Sequence, residues 1–256
     1  MELLPGLEPD GAALYLPASK ALVLADLHIG YEEEKRNRGV LLPAAQRRLF
    51  IDEIERLLER HDVERIVLAG DVKHEFGRIS QQEWSGVLGF LRRLQEHAVV
   101  EVIAGNHDTL LAPILAKEPI PLVKSALLGD VLVVHGDATL KELIEEGALK
   151  KEELAAAKTV VMGHEHPALR LTDGIRTETV KCFLVGKTRQ GRRSLPLVVV
   201  PSFNPLSYGT DVLRERPLGP LLGAFGDFSA FALVDGKVLA FGSVETLQRR
   251  EREFIR

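Results

Sequence analysis

The segment VVMGHEHP at 160–167 presents two histidines one residue apart. Residues i and i+2 of an extended chain point to the same side, about 6–7 Å apart. His164 and His166 therefore have the spacing to close on one metal ion or to reach two adjacent ions. Alone, the pair fits an exposed surface turn equally well. Four more apolar runs, however, stop at residues of the same chemical kind. Run 21–25 (ALVLA) leads into Asp26-Leu27-His28, and run 66–69 (IVLA) into Gly70-Asp71. Run 99–104 (VVEVIA) leads into Gly105-Asn106-His107-Asp108, and run 131–134 (VLVV) into His135-Gly136-Asp137. Five of the eight histidines fall at these ends. A polar turn explains any one of them, whereas one shared site explains the series.

The candidate ligands are Asp26, His28, Asp71, Asn106, His135, His164 and His166. Two carboxylates, four imidazoles and an amide are too many for one ion and suit two. Mixed nitrogen and oxygen donors without thiolate disfavour a structural zinc and favour Mn²⁺, Fe or catalytic Zn²⁺. Two divalent ions against two carboxylates leave a charge of about +2, or about +1 with a bound hydroxide. Such a site attracts anions, and phosphate esters are the commonest anionic substrates of two-metal hydrolytic centres.

The runs that carry these residues are short and rich in Val and Ile, which predicts buried strands, and sites in α/β sheets lie beyond the carboxyl ends of the strands. Helical periodicity separates the first three. At 43–61 it is carried by Phe50, Ile54, Leu57 and Leu58, with Pro43 at the start. At 80–96 it is carried by Trp84, Val87, Leu88, Leu91 and Leu94, with Ser80 and Glu83 spaced as a capping box. Shorter helices are expected at 139–147 and 151–158, and Pro167 is expected to shut the metal-ligand segment down. Beyond it, strands are expected at 181–185, 197–200, 229–234 and 237–241, with Asp235-Gly236 as a hairpin turn, then a charged helix over 244–254. His61 and His97, at helix exits, are read as solvated or capping residues.

With 256 residues, 45% of them hydrophobic, the chain can bury a large core, and without a linker or repeat it reads as one domain over 1–256. The net charge of −4 announces neither a nucleic-acid nor a membrane partner. One cysteine, Cys182, excludes an internal disulfide framework and fits a reducing compartment. No segment approaches about 18 uninterrupted apolar residues, and the N-terminus lacks a basic and apolar leader, so a cytoplasmic protein is expected.

The ordered series D-x-H, G-D, G-N-H-D, H-G and G-H-x-H across 26–166 resembles the calcineurin-like metallophosphoesterase superfamily. ADLHIGYEEEKRNRG (25–39), GDVKHEFG (70–77) and PSFNPLSYG (201–209) resemble its small ICC-like group. The resemblance implies an α/β fold, a four-layer αββα sandwich with two metals at one edge. Asp26, His28 and His166 would hold one ion, Asn106, His135 and His164 the other, and Asp71 would bridge them. A hydroxide between the ions would attack phosphorus in line. His107 would face the substrate and protonate the leaving oxygen, with Asp108 orienting its ring. Many members carry an acidic residue where this chain has His74. That departure removes no ligand, and His74 joins Arg38 and Asn204 as a substrate-side candidate.

The group includes manganese-dependent phosphodiesterases, some of them DNA endonucleases, associated with repair helicases and ligases. The resemblance thus implies a phosphodiester substrate, single-stranded DNA among the options, with Mn²⁺ ahead of Fe or Zn²⁺. None of the five motifs contains the arginine or lysine clamp that a monoester dianion usually wants. The alternatives are a small-nucleotide phosphatase or cyclic phosphodiesterase and, with every ligand type present, less readily a non-catalytic scaffold. Lys35, Arg36 and Arg38, and the basic loop 187–193, read either as solvated charge or as a path for a nucleic-acid backbone. SFNPLSYG reads either as a structural turn or as placing Asn204 or Tyr208 beside the metals.

Overall fold

The computed structural model describes residues 1–42, 45–75, 81–116, 118–172, 174–191 and 193–254. A first sheet runs β1 (Glu8–Asp10), β2 (Ala13–Leu16), β3 (Ala21–Leu24), β4 (Arg65–Ala69), β5 (Val99–Ile103) and β6 (Leu122–Val123), in that spatial order. The hairpin strands β1 and β2 are antiparallel to their neighbours, and β3 to β6 are parallel. The second sheet contains β7 (Ser125–Leu128), β8 (Val131–Val134), β9 (Thr159–Met162), β10 (Pro167–Thr172), β11 (Thr177–Gln190), β12 (Arg193–Val199), β13 (Thr210–Asp211), β14 (Ser229–Val234) and β15 (Lys237–Ser243). Its order is β13-β10-β11-β12-β9-β8-β7, with β14 paired to β11 and β15, and β8, β9 and β12 parallel.

Both faces of the central strands are covered, which is why they read as continuous apolar runs. Leu22 and Leu24 of β3 pack on one side against Phe50, Ile54 and Leu57 of α2 (Gln46–Arg60) and Val87, Phe90 and Leu91 of α3 (Gln81–Gln95). The alternate residues Val23 and Ala25 turn the other way and meet Val133, Val161 and Val198 of the second sheet. On that sheet's far face, Leu132, Val160 and Leu197 pack against Leu140 and Leu143 of the helix Leu140–Glu145, Leu154 of Lys151–Ala156 and Val244 of Val244–Phe254. The layers are thus helix, sheet, sheet, helix, the expected αββα arrangement. Each fully buried Leu or Val contributes on the order of 1.5–3 kcal/mol. Among the described residues no helix is long and apolar enough to cross a membrane.

The two long helices and the four downstream strands form where expected, and Asp235 (φ 48°) with Gly236 (φ 72°) makes the primed turn of the β14–β15 hairpin. Pro43 and Ser80 lie outside the described residues; Glu83 accepts from the His74 and Glu75 amides, both at 3.2 Å. A complete capping box occurs instead at Thr139 and Glu142. Three expectations are corrected. Pro167 does not end the segment but opens β10, where a strand's first position tolerates proline. The β1–β2 hairpin was not anticipated, since three- and four-residue strands carry too little pattern. The stretch 187–193 is largely hairpin rather than loop, and it lies at the start of β12, the end remote from the metal-ligand residues. There the Arg193 guanidinium donates to the Leu154 (2.9 Å) and Ala157 (2.5 Å) carbonyls, capping a helix.

Candidate metal centre

Parallel strands from both sheets end at one edge, and the segments that leave them are sewn together there. The Asp26 amide donates to the Gly70 carbonyl (3.1 Å) and the His28 amide to the Asp71 carbonyl (2.8 Å). Between sheets, the Phe203 amide donates to the Ala25 carbonyl (2.8 Å), and the Ser202 hydroxyl to the Asp26 carbonyl (2.7 Å). The approach is tight: a Cβ on Gly163 would lie 2.7 Å from the Ala25 methyl, and one on Gly70 would enter the His135 ring. Seven non-glycine residues among those described adopt left-handed backbone, and five of them are Asp26, His28, Asp71, His164 and His166. Asp and His tolerate this region better than most residues. It turns the chain abruptly at each strand end and aims the side chains inward, storing strain at a functional site.

Among the described residues three donor groups form: His28, His74 and His107 make one, and the other two share a carboxylate. In one of those two, donor atoms of Asp26, His28, Asp71 and His166 all lie within 4.8 Å of one another; in the other, those of Asp71, His135 and His164 do. Asp71 belongs to both, as a bridging ligand requires. Asn106 Oδ1 lies 3.1 Å from His135 Nε2, which puts the amide with the second group. Ring nitrogens face each other at 3.2 Å between His28 and His166 and at 3.1 Å between His135 and His164. Nitrogen pairs converging on buried carboxylates are a donor set that divalent ions fit. The seven sequence-predicted ligands are therefore brought together.

The far ring nitrogens find supports. His135 Nδ1 lies 3.0 Å from the Ala69 carbonyl and His166 Nδ1 3.2 Å from the Ser207 hydroxyl. His28 Nδ1 lies 3.4 Å from His74 Nδ1, and His74 Nε2 lies 4.0 Å from Glu34 of the helix α1 (Tyr31–Asn37). Such partners fix the tautomer and orient the ring.

Burial decides most protonation states. It pushes the His28 pKa down to about 2, with His166 adding to the effect, and those of His74 and His164 down to about 4. These rings are neutral at physiological pH, the form that binds a metal. Burial also disfavours charge on His135, but Asp71 and Asp26 outweigh it and raise its pKa. Between the two carboxylates, burial and Asp26 raise Asp71, whereas Asp26 is held low by His166, His135 and His28 against its own burial.

The remaining candidates divide. His107 stands at the centre, its amide donating to Asp71 Oδ1 (2.9 Å) and its Nε2 3.8 Å from Asp71 Oδ2. Asp108 does not orient that ring. Its buried carboxylate accepts from the Gly105 (2.9 Å), Lys73 (3.2 Å) and Val72 (3.3 Å) amides and fastens two loops. The His74 carbonyl orients His107 instead, 2.5 Å from its Nδ1. Arg38 is not drawn in; it pairs with Glu34. Asn204 is wholly buried in a turn, its Oδ1 accepting from the Leu206 amide at 2.9 Å. Two residues were not anticipated. Glu165, between the ligand histidines, accepts from the Leu218 (3.0 Å) and Gly219 amides. Lys181, partly buried, donates to the Ser202 (2.6 Å) and Asn204 carbonyls. The alternation of side chains in HEH points Glu165 away from its neighbours, and that signal was available; nothing local marks Lys181.

Residues 20–200 match the calcineurin-like phosphoesterase superfamily domain, and the chain belongs to that superfamily. It is a phosphoester hydrolase of a dinuclear, metal-dependent class, with His/Asp clusters that could bind the metal. The nuclease MPE of Pseudomonas putida shares the fold, with 20% identity, a TM-score of 0.59, and coverage of 90% of this chain and 92% of that one. Vps29 of Entamoeba histolytica, complexed with zinc, is 14% identical over 86% of this chain and 96% of its own, with a TM-score of 0.35. A predicted phosphoesterase of Streptococcus pneumoniae TIGR4 is 15% identical over 87% and 96%, with a TM-score of 0.31. No curated protein matches the sequence.

Proposed function

We propose that the chain is a manganese-dependent phosphodiesterase that cleaves single-stranded DNA as an endonuclease. The observation that carries the reading is the joining of two ligand groups through Asp71, carried by five motifs that contain neither lysine nor arginine. A phosphodiester carries one negative charge and needs less neutralisation than a monoester dianion. Imidazole and carboxylate donors without thiolate suit Mn²⁺, Fe or Zn²⁺, and the resemblance to the ICC-like group puts Mn²⁺ first. Functional association with DNA-repair helicases and ligases belongs to the same proposal.

Divalent ions in such a site polarise phosphoryl oxygens and bring the pKa of water toward about 7. The chain's own part is positioning and proton transfer. Asp26, His28 and His166 would hold one ion, Asn106, His135 and His164 the other, and Asp71 would contribute to both. His107 Nδ1 is committed to the His74 carbonyl, so Nε2 faces the space above Asp71 and carries the proton to the leaving oxygen.

The test is hydrolysis with Mn²⁺ of single-stranded DNA, duplex DNA, RNA, cyclic nucleotides and a matched pair of activated diester and monoester. The diester should react faster than the monoester, and single-stranded DNA should be cut internally. Equal or greater monoesterase efficiency, or a preference for cyclic nucleotides, would replace this reading with a small-nucleotide phosphatase or cyclic phosphodiesterase.

A further inference from the structure

The tripeptide His164-Glu165-His166 carries more than ligands, because two surface loops hang from it. On one side the Ser207 hydroxyl meets His166 Nδ1 at 3.2 Å, and the Thr210 amide donates to the His166 carbonyl at 2.8 Å. A Cβ on Gly209 would strike that same carbonyl. Tyr208 sits between these anchors, yet its side chain goes outward: the residue is 79% exposed. On the other side Glu165 grips the amides of Leu218 and Gly219, and a Cβ on Gly219 would come within 3.2 Å of the His164 ring. Leu218 is 66% exposed.

A single exposed apolar residue needs no explanation. Here an aromatic ring and a leucine stand on separate loops, Tyr208 next to the Ser207 that touches His166 and Leu218 held with Gly219 by Glu165. The Tyr208 loop is stiff, with Pro205 in it, Ser202 bonded to Asp26, and the Lys181 ammonium pinning the Ser202 and Asn204 carbonyls. An exposed tyrosine held this way loses little entropy on contact and offers a π-face. Successive bases of single-stranded nucleic acid stack on such rings whatever their sequence.

We infer that Tyr208 is a base-stacking platform, receiving the nucleobase next to the scissile phosphate of a single strand. The inference rests on the nucleic-acid reading above. It adds a subsite for the base to a site otherwise built for the phosphate.

The test compares wild type, Tyr208→Ala and Tyr208→Phe with Mn²⁺ on three substrates. These are a single-stranded oligonucleotide, a strand of equal length whose central nucleotides are abasic, and methyl nitrophenyl phosphate. Stacking of one base is worth about 1–3 kcal/mol, or roughly 5- to 150-fold. Tyr208→Ala should lower kcat/KM on the base-bearing strand by that factor while leaving the abasic strand and the small diester within about twofold of wild type. Tyr208→Phe should keep most of the activity. Equal losses on base-bearing and abasic strands, or no loss on either, would overturn the platform while leaving the nuclease reading intact. Wild-type turnover of methyl nitrophenyl phosphate without cleavage of any strand would instead remove the nucleic-acid reading, and the platform with it.

Discussion

His135 and His28 approach different carboxylate oxygens of Asp71, at 3.5 and 3.8 Å, but their far ring nitrogens meet different kinds of partner. His135 Nδ1 lies 3.0 Å from the backbone carbonyl of Ala69, inside a strand that no side-chain substitution can remove. His28 Nδ1 meets the ring of His74 at 3.4 Å, and His166 meets the hydroxyl of Ser207 at 3.2 Å. One ligand group is thus braced by the sheet, the other by side chains on loops. The second group also surrounds His107, which hangs from the His74 carbonyl. Ion affinity and proton delivery on that side share one support, and substitutions can separate them.

The largest effect should come from His107→Ala. Proton transfer of this kind contributes roughly 10²–10⁴-fold, so turnover should fall by about that factor with both ions retained in elemental analysis. The loss should shrink for a nitrophenolate leaving group and persist for a nucleoside hydroxyl. Loss of an ion would make His107 a ligand. His74→Ala should act more moderately and differently. It removes the ring behind His28 but keeps the carbonyl that holds His107. Outer-shell partners of this type tune metal affinity by about 10–100-fold. Titration calorimetry should show one of two ions weakened to that extent, with turnover largely recovered at saturating Mn²⁺. Turnover that stays low at saturation would assign His74 to the substrate instead.

The smallest effect concerns Lys181, which steadies the loop bearing Ser207. Burial pushes its pKa from the ordinary 10.5 down to about 7. Between those values the unfolded chain holds a proton that the folded chain does not. Stability therefore rises with pH from about 7 toward 10.5 and is lost as pH falls across that same window, with no further change from this group below about 7 and a slope of at most about 1.4 kcal/mol per pH unit within it. Urea midpoints from pH 7 to 9.5 should climb more in wild type than in Lys181→Met. Parallel curves would mean that the lysine stays charged in its bed of carbonyls.

The clustering of these donor residues was legible because each lies within four residues of the end of a buried strand, and a covered strand announces itself as an apolar run. The Asp235-Gly236 turn and the amphipathic helix Gln46–Arg60 were legible for equally local reasons. What the chain could not display was the partner of each side chain. The family resemblance implied that Asp108 steadies His107, yet the acid turns to three backbone amides and the carbonyl of His74, thirty-three residues away, takes its place. The basic stretch 187–193 carried the right charge for nucleic acid and lies at the wrong end of β12. Composition records charge, and only topology records which end of a strand bears it.

The left-handed backbone at Asp26, His28, Asp71, His164 and His166 has a consequence for anyone who evolves this chain in the laboratory. Glycine is the residue at ease in that conformation, whereas other residues there cost on the order of 1–2 kcal/mol each. A glycine at any of these five positions would relieve that strain while deleting a candidate ligand, so heat tolerance and turnover can part company at the same residue. Selection for thermal tolerance must therefore be coupled to turnover in every round, or the library will erase its own catalyst first.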